Sequence, residues 1–420
     1  MTRLTPMRRA WSQVTRSRHR LPPSLDGLVE RLKWSFARAP ANLRLAPAAA
    51  GPEPRVLIAP TNFAGQGHAW AAALTRQGPG GAVNWAFLAG PGFGFKADYI
   101  QPISVNSASG RFQSAQFARV ADHCQAVVIE SGWPLFGRLF GYSAAREALA
   151  LETVGLAVAA LWHGSDIRLP SEHRAAHPLS PYALPELRSR AAELESTALR
   201  HRRSMLHLGL PQLVSTPDLL DQVKDAAWCP VVVNPDVFAA GRAEGAAPIL
   251  AGGRPKVVHI PSDPLVKGTD LVDPVLRRLA DAGRIEYIRA EGLTAAEVLA
   301  LYARADVVAD QFRMGIYGVA AAEAMALGRL VVSDVDQSVR ASVAERTGLV
   351  LPIEQTPAQD LAERLEQMIR DPVPFRALAA RGPAFAAAVH SGARSAAALT
   401  AALGLEWPSQ AQFSSLTPDG

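Results

Sequence analysis

Two cysteines in 420 residues are too few for a disulfide framework. Cys124 and Cys229 sit beside apolar neighbours, Ala126-Val127 and Trp228, and read as buried free thiols of a reducing compartment. Long apolar runs are scarce too. The strongest, Val154 to Trp162, is too short to span a bilayer, and the N-terminus lacks the continuous apolar core of a signal peptide. A cytoplasmic or membrane-peripheral location is expected. There is no G-x-S-x-G, no Walker loop and no G-x-G-x-x-G after a strand, so hydrolase, triphosphatase and dinucleotide readings lose their usual support. A repeat of solenoid period is also missing.

Positive charge is confined to one end. Residues 1–50 hold ten Lys/Arg against Asp26 and Glu30, a net of +8, so the rest of a chain that totals +5 is −3. A slightly acidic body lacks the field that phosphate backbones require, and no nucleic-acid partner is expected. Within the basic arm Leu25, Leu28, Val29, Leu32 and Phe36 form one stripe at helical spacing. Ser24 is its cap, Arg31, Lys33 and Arg38 lie off the stripe, and Pro40 ends it. Residues 24–39 therefore pack on the body, form a loose tail or lie as a peripheral contact on an anionic membrane.

What the chain has in quantity is apolar residues, 49% of the total, enough for two cores of ordinary domain size. From Arg55 strand-like runs alternate with helical stretches, the form of an α/β protein whose parallel sheets are covered on both faces. Strands are predicted at Arg55 to Pro60, Asn84 to Leu88, Ala126 to Glu130, Leu156 to Leu161 and Leu213 to Ser215. A second series runs through Lys256 to Ile260, Ile285 to Ile288, Asp306 to Ala309 and Leu330 to Ser333. Between the series lies a Pro/Gly/Ala-rich linker, Asn234 to Gly253. The division expected is a basic arm (1–50), an N-terminal Rossmann-like domain (51–235), a C-terminal one (236–390) and a final helix with tail (391–420). The alanine-rich stretch Phe375 to Leu403 reads as helices broken at Gly382-Pro383.

The segment from Asp306 to Asp336 reads as strand, glycine-containing loop, short helix and second strand, with Glu323 inside the helix. Gly315 and Gly318 permit tight turns, and a helix opening at Gly318-Val319 points unpaired N–H groups at the loop, where a phosphate would be held. Glu323, about a turn further in, can accept from sugar hydroxyls. Lys267-Gly268 follows the first strand of the second series, a point charge beside a backbone that a phosphate can approach. His163-Gly164-Ser165-Asp166-Ile167-Arg168 follows the strand ending at Leu161, at the carboxyl edge where α/β sheets gather ligands. Asp166 and Arg168 are expected to pair with each other or brace that loop. Gly65-Gln66-Gly67 opens a helix after the first strand and offers N–H groups to phosphate or acceptor, although G-x-G also serves plain turns. His163, His173 and His177 lack cysteine or carboxylate partners at a set spacing, and Asp334-Val335-Asp336 ends a strand where a turn or cap is expected, so no metal is expected.

Tyr317-Gly318 followed by Glu323-Ala324-Met325-Ala326-Leu327-Gly328 resembles the donor signature of GT-B retaining glycosyltransferases of family four. The resemblance runs over roughly residues 55–403. It implies two Rossmann-like domains facing across a cleft, the last helix crossing back to the first domain, and transfer of a hexose-like unit from a nucleoside-diphosphate sugar to a saccharide or lipid-linked acceptor hydroxyl. No cofactor beyond the nucleotide sugar is implied. It assigns phosphate to Lys267 and Gly318-Val319, ribose to Glu323 and the transferred sugar to His163. Two positions depart from the family. Gly315 stands where a sugar-binding glutamate is expected, and Ser262 where an arginine is common. Asp310-Gln311, just before the loop, are candidates to replace the lost carboxylate. A nucleotide-sugar epimerase of the same fold and a non-catalytic scaffold are the rival readings.

Overall fold

Runs of Val, Ile, Leu and Ala without polar alternation form strands buried on both faces, as a parallel sheet between helix layers requires. The computed structural model describes residues 53–405 except 79, 89–93, 103–109 and 242–248. The basic arm with its 24–39 stripe, and the tail from 406, lie outside the described residues.

Strands β1 (Val56–Ala59), β2 (Ala82–Leu88), β3 (Tyr99–Pro102), β4 (Ala126–Glu130), β5 (Ala157–Trp162), β6 (Gln212–Val214) and β7 (Ala227–Trp228) make one sheet, ordered β3-β2-β1-β4-β5-β6-β7. Strands β8 (Lys256–His259), β9 (Glu286–Arg289), β10 (Val307–Ala309), β11 (Leu330–Ser333) and β12 (Glu354–Gln355) make another, ordered β12-β11-β10-β8-β9. All neighbouring strands run parallel. The α/β class and the two-sheet architecture are as the sequence pattern predicts. The unpredicted strands β3, β7 and β12 lie at sheet edges, where fewer apolar residues are needed. The Asn234 to Gly253 passage is not all linker. Pro235 starts the helix Pro235–Gly241, and the Asn234 side chain accepts from Asp236 N at 2.9 Å to set its entry.

In each sheet the winding reverses once, between β1 and β4 and between β8 and β10. At such a reversal the loops at the carboxyl ends diverge and leave a crevice for a ligand.

The alanine-rich tail breaks twice: at Gly382, as expected, and again at Gly392, which takes φ +101°. A Cβ on Gly392 would lie 2.7 Å from Ala73 Cβ, so the glycine lets the last helix, Ala393–Ala402, approach the helix Gln66–Gln77. Ala396, Leu399 and Leu403 enter one core with Val56, Ile58 and Trp70, which places that helix structurally in the N-terminal half. Cys229 is buried in the same core, and both cysteines are free and buried. Leu399→Ala, at a fully buried position, is expected to lower unfolding stability by about 2–4 kcal/mol, read as a lower urea midpoint.

Candidate functional site

At the crevice of the second sheet, Asp310 directly follows β10, and its carboxylate pairs with Lys267 Nζ. Lys267 closes the short helix Pro264–Lys267, whose first turn Asp263 caps by accepting from Val266 N at 3.3 Å. Gly268 then turns the chain at φ +77° into the helix Thr269–Asp281, and its missing Cβ leaves room for Arg313 Cγ at 3.1 Å. Beneath them the buried His259 ties β8 to its neighbours, with Nδ1 2.8 Å from Ala309 O and Nε2 2.8 Å from Thr269 Oγ1. Burial depresses the pKa of His259, and a neutral ring suits one donated and one accepted bond. The other oxygen of Asp310 is buried with no partner among the described residues.

The loop that follows is held from inside. Gln311 Nε2 donates to Ile316 O at 2.6 Å, so Gln311 braces the loop rather than reaching out as a substitute carboxylate. Gly315 takes φ +66° and forms an isolated bridge to Val335. Gly318 is extended and needs no glycine for its φ, but nothing lies within 4 Å of where its Cβ would be, so open space adjoins the start of the helix Val319–Ala326. Tyr317 departs from the expected donor wall. Its ring is buried in the core and its hydroxyl lies 3.3 Å from His390 Nε2, so the side chain pins the loop to the helix Gly382–His390. Glu323 is half-buried and has no hydrogen bond or ion pair among the described residues. Burial pushes its carboxyl up to about 7.

At the crevice of the first sheet, Glu130 ends β4 with no exposed surface. It accepts from Thr61 N at 3.2 Å and lies 3.1 Å from His163 Nε2. Burial raises the Glu130 pKa, and the hydrogen bond to His163 opposes that rise. His163 packs between Trp70 and Phe63, with ring centroids 5.3 and 5.2 Å away. Phe63 and Trp133 stay exposed at the rim. Asp166 accepts from His163 N at 2.9 Å and Gly164 N at 2.9 Å, which makes it the brace of the turn. Arg168 pairs with Asp218 and not with Asp166.

Gly65-Gln66-Gly67 serves packing. Gly65 takes φ +75°, while a Cβ on Gly67 would meet Asn84 Nδ2 at 2.4 Å and Thr61 O at 2.7 Å. The Gln66 amide is consumed by both backbone groups of Val232, at 2.7 and 3.1 Å. The role expected here was of backbone N–H groups, of which Gly65 N donates to Asn62 O at 3.1 Å and Gln66 N to Phe63 O.

The two halves touch across the mouth. His173 Nε2 lies 3.3 Å from Met314 O, Arg313 Nη1 donates to Leu179 O at 3.0 Å, and His177 Nε2 lies 3.4 Å from Asp336 Oδ2. His173 belongs to the helix Pro170–Ala176 and stacks on His177 with centroids 4.1 Å apart. Burial, and next the charge of His177, lower the His173 pKa to about 4. Sequence reasoning gave no role to Glu130 and only that of a turn or cap to Asp336. For Glu130 a signal existed: a carboxylate closing an otherwise apolar strand at the ligand-gathering edge.

No family model matches the chain, and no curated relative matches it. Among solved structures it is similar to a sucrose-phosphate synthase from Thermosynechococcus elongatus, at 17% identity and TM-score 0.50, over 83% of this chain and 98% of that one. It is also similar to WaaG, a glycosyltransferase of lipopolysaccharide biosynthesis, at 13% identity and TM-score 0.48, over 83% and 100% of the two chains. A third, HepE of Anabaena in complex with UDP-glucose, has 13% identity and TM-score 0.46 over 84% and 99%. Likeness at these identities concerns the fold, and with two parallel sheets and helices in both halves the chain has the α/β architecture of GT-B glycosyltransferases.

Proposed function

We propose that the chain is a retaining glycosyltransferase that moves a hexose-type unit from a nucleoside-diphosphate sugar to an acceptor hydroxyl on a saccharide or lipid-linked molecule. The observation that carries this reading is Glu323, a half-buried carboxylate without a partner among the described residues, in the helix Val319–Ala326 whose start adjoins open space. A carboxylate partly withdrawn from water and lacking protein donors is an acceptor that ribose hydroxyls would satisfy. Lys267 lies at the crevice between β8 and β10, and its ammonium has three donors, enough to keep Asp310 and also bind a phosphate oxygen. The unpaired N–H groups at Val319 add a second contact for the diphosphate.

In the step proposed, the bond from the anomeric carbon to the diphosphate oxygen breaks and its electron pair stays with the diphosphate. The acceptor oxygen bonds to that carbon on the same face, and its proton passes to the departing phosphate oxygen. Lys267 and the helix N-terminus stabilise the charge that develops there. His163, fixed by Glu130, holds the sugar, and closure of the halves excludes water. The reading invokes no metal and no cofactor. It places the enzyme in the cytoplasm, with the 24–39 stripe as a peripheral membrane contact. Among the described residues no helix is long and apolar enough to cross a membrane.

A screen of nucleoside diphosphates by thermal melting should find one that raises Tm, and Glu323→Ala should abolish the gain. If no diphosphate shifts Tm in the wild type, the donor site is misassigned. Product analysis with donor alone distinguishes transfer from epimerisation, since an epimerase would convert the sugar without an acceptor.

The pH dependence has a definite sign. Because the carboxyl of free Glu323 is raised to about 7, its protonated form favours the fold below the ordinary carboxylate pKa, and that contribution is lost as pH rises through 7. Hydroxyl donors favour the ionised form, so nucleotide-sugar binding releases a proton and strengthens with pH, by about tenfold between roughly pH 6 and 8. Calorimetry with a nucleotide sugar, whose diphosphate has no ionisation near neutrality, checks this. Glu323→Gln is expected to flatten the profile.

A further inference from the structure

Gly315 looks like a loss, because it removes a side chain from the wall of the cleft. The coordinates place another group there. A Cβ built on Gly315 would lie 2.2 Å from Asp336 Oδ2 and 2.4 Å from its Cγ, so the Asp336 carboxylate fills the place where a side chain at 315 would begin. With φ +66° at 315 and no Cβ, glycine is the residue that admits it.

Asp336 is also unusual in what it forgoes. It occupies the N-cap position of the helix Gln337–Thr347, where an aspartate ordinarily accepts from first-turn N–H groups, yet it makes no such bond. The carboxylate turns back over the loop and meets His177 Nε2 of the opposite half at 3.4 Å, with a third of its side-chain surface exposed. Asp334, two residues earlier, is already committed, accepting from Gln355 Nε2 at 2.6 Å. Two carboxylate oxygens offer about four acceptor positions, and one long contact leaves most of them free. Asp336 is thus an uncommitted carboxylate in the cleft wall, beside the loop that leads to the proposed phosphate site and facing the half that carries His163.

Resting on the glycosyltransferase reading above, we propose that Asp336 reads the transferred sugar, accepting hydrogen bonds from its hydroxyls and excluding donors that carry a carboxylate there. The donor class is then a neutral or amino hexose rather than a hexuronate. Attraction and exclusion share one cause. A fixed negative charge accepts from hydroxyl or ammonium groups and repels a second anion in a cleft of reduced dielectric.

Calorimetric titration of the full chain with UDP, GDP and ADP, then with the glucose and glucuronate derivatives of whichever diphosphate binds, tests the assignment. The wild type should bind the glucose derivative at least tenfold more tightly than the glucuronate derivative. Asp336→Asn should leave diphosphate affinity within about twofold, weaken the glucose derivative about tenfold and erase the preference over glucuronate. Gly315→Ala, whose Cβ would displace the carboxylate, should reproduce that pattern, and Asp334→Asn should not. An Asp336→Asn protein that binds both sugar nucleotides as the wild type does overturns the assignment but leaves the donor site standing. So does an equal loss of diphosphate and sugar-nucleotide binding, which would mark Asp336 as structural. A wild type that binds no diphosphate overturns the functional reading, and this assignment with it.

Discussion

A parallel sheet wound outward from its first strand in two directions must reverse once, and this constraint sets the chemistry of the molecule. The reversals fall between β1 and β4 and between β8 and β10, and each leaves its carboxyl edge uncovered by the helix layers. Polar groups that reach such an edge are near solvent but rooted in a dry sheet, so they must find partners. At the first crevice Glu130 meets Thr61 N and His163, and at the second Asp310 meets Lys267. Glu130 ends, and Asp310 directly follows, a strand flanking the reversal, and their partners come from the segments that leave neighbouring strands. Sheet topology puts them together before any particular ligand is considered.

Buried or half-buried carboxylates in this chain fall into two kinds. Glu147 accepts from Leu135 N at 2.5 Å and Phe136 N at 2.8 Å, and Asp306 from Leu250 N and Lys256 N, both at 2.7 Å. Those groups stitch loops to strands, and their charge is answered within the protein. Glu323 receives no such donors, and burial alone drives its carboxyl to about 7. The contrast matters because a half-buried carboxylate that the protein does not answer keeps its acceptor positions free.

Most of the fold was legible because strands buried on both faces show as unbroken apolar runs, and a run such as Ala126 to Ile129 has few other uses. The placement of candidate residues was legible only where position along the chain implies position in space, as with Lys267 after β8 and Glu323 after the glycine loop. It failed where direction mattered. Tyr317 lies in the expected turn, but its ring points into the core toward His390, which no local pattern records. The Gly65-Gln66-Gly67 sequence suits an anion loop and a tight packing contact equally. Asn84 and Thr61, brought against Gly67 by the fold, decide for packing. Of the two roles expected for Asp166 and Arg168, bracing of the turn holds for Asp166, whereas the guanidinium pairs with Asp218 and not with Asp166.

The contacts between the halves differ on the two sides of the cleft. On one side the connecting segments are cross-linked: Val233 N donates to His390 O at 2.8 Å, and His390 Nδ1 lies 2.8 Å from Val231 O. Burial pushes the His390 pKa down to about 4, so its ring stays neutral and that arrangement holds across the physiological range. The last helix, with Ala396 and Leu399 in the core of the first half, anchors the same side. At the mouth a buried apolar cluster joins the halves, Tyr182 and Ala191 of one packing with Met314 of the other, and polar contacts accompany it. They include Arg190 with Asp263 and His177 with Asp336, and exposed ion pairs of this kind contribute at most about 1 kcal/mol each. The residues proposed to touch a sugar, Asp336 among them, thus sit where the two halves meet.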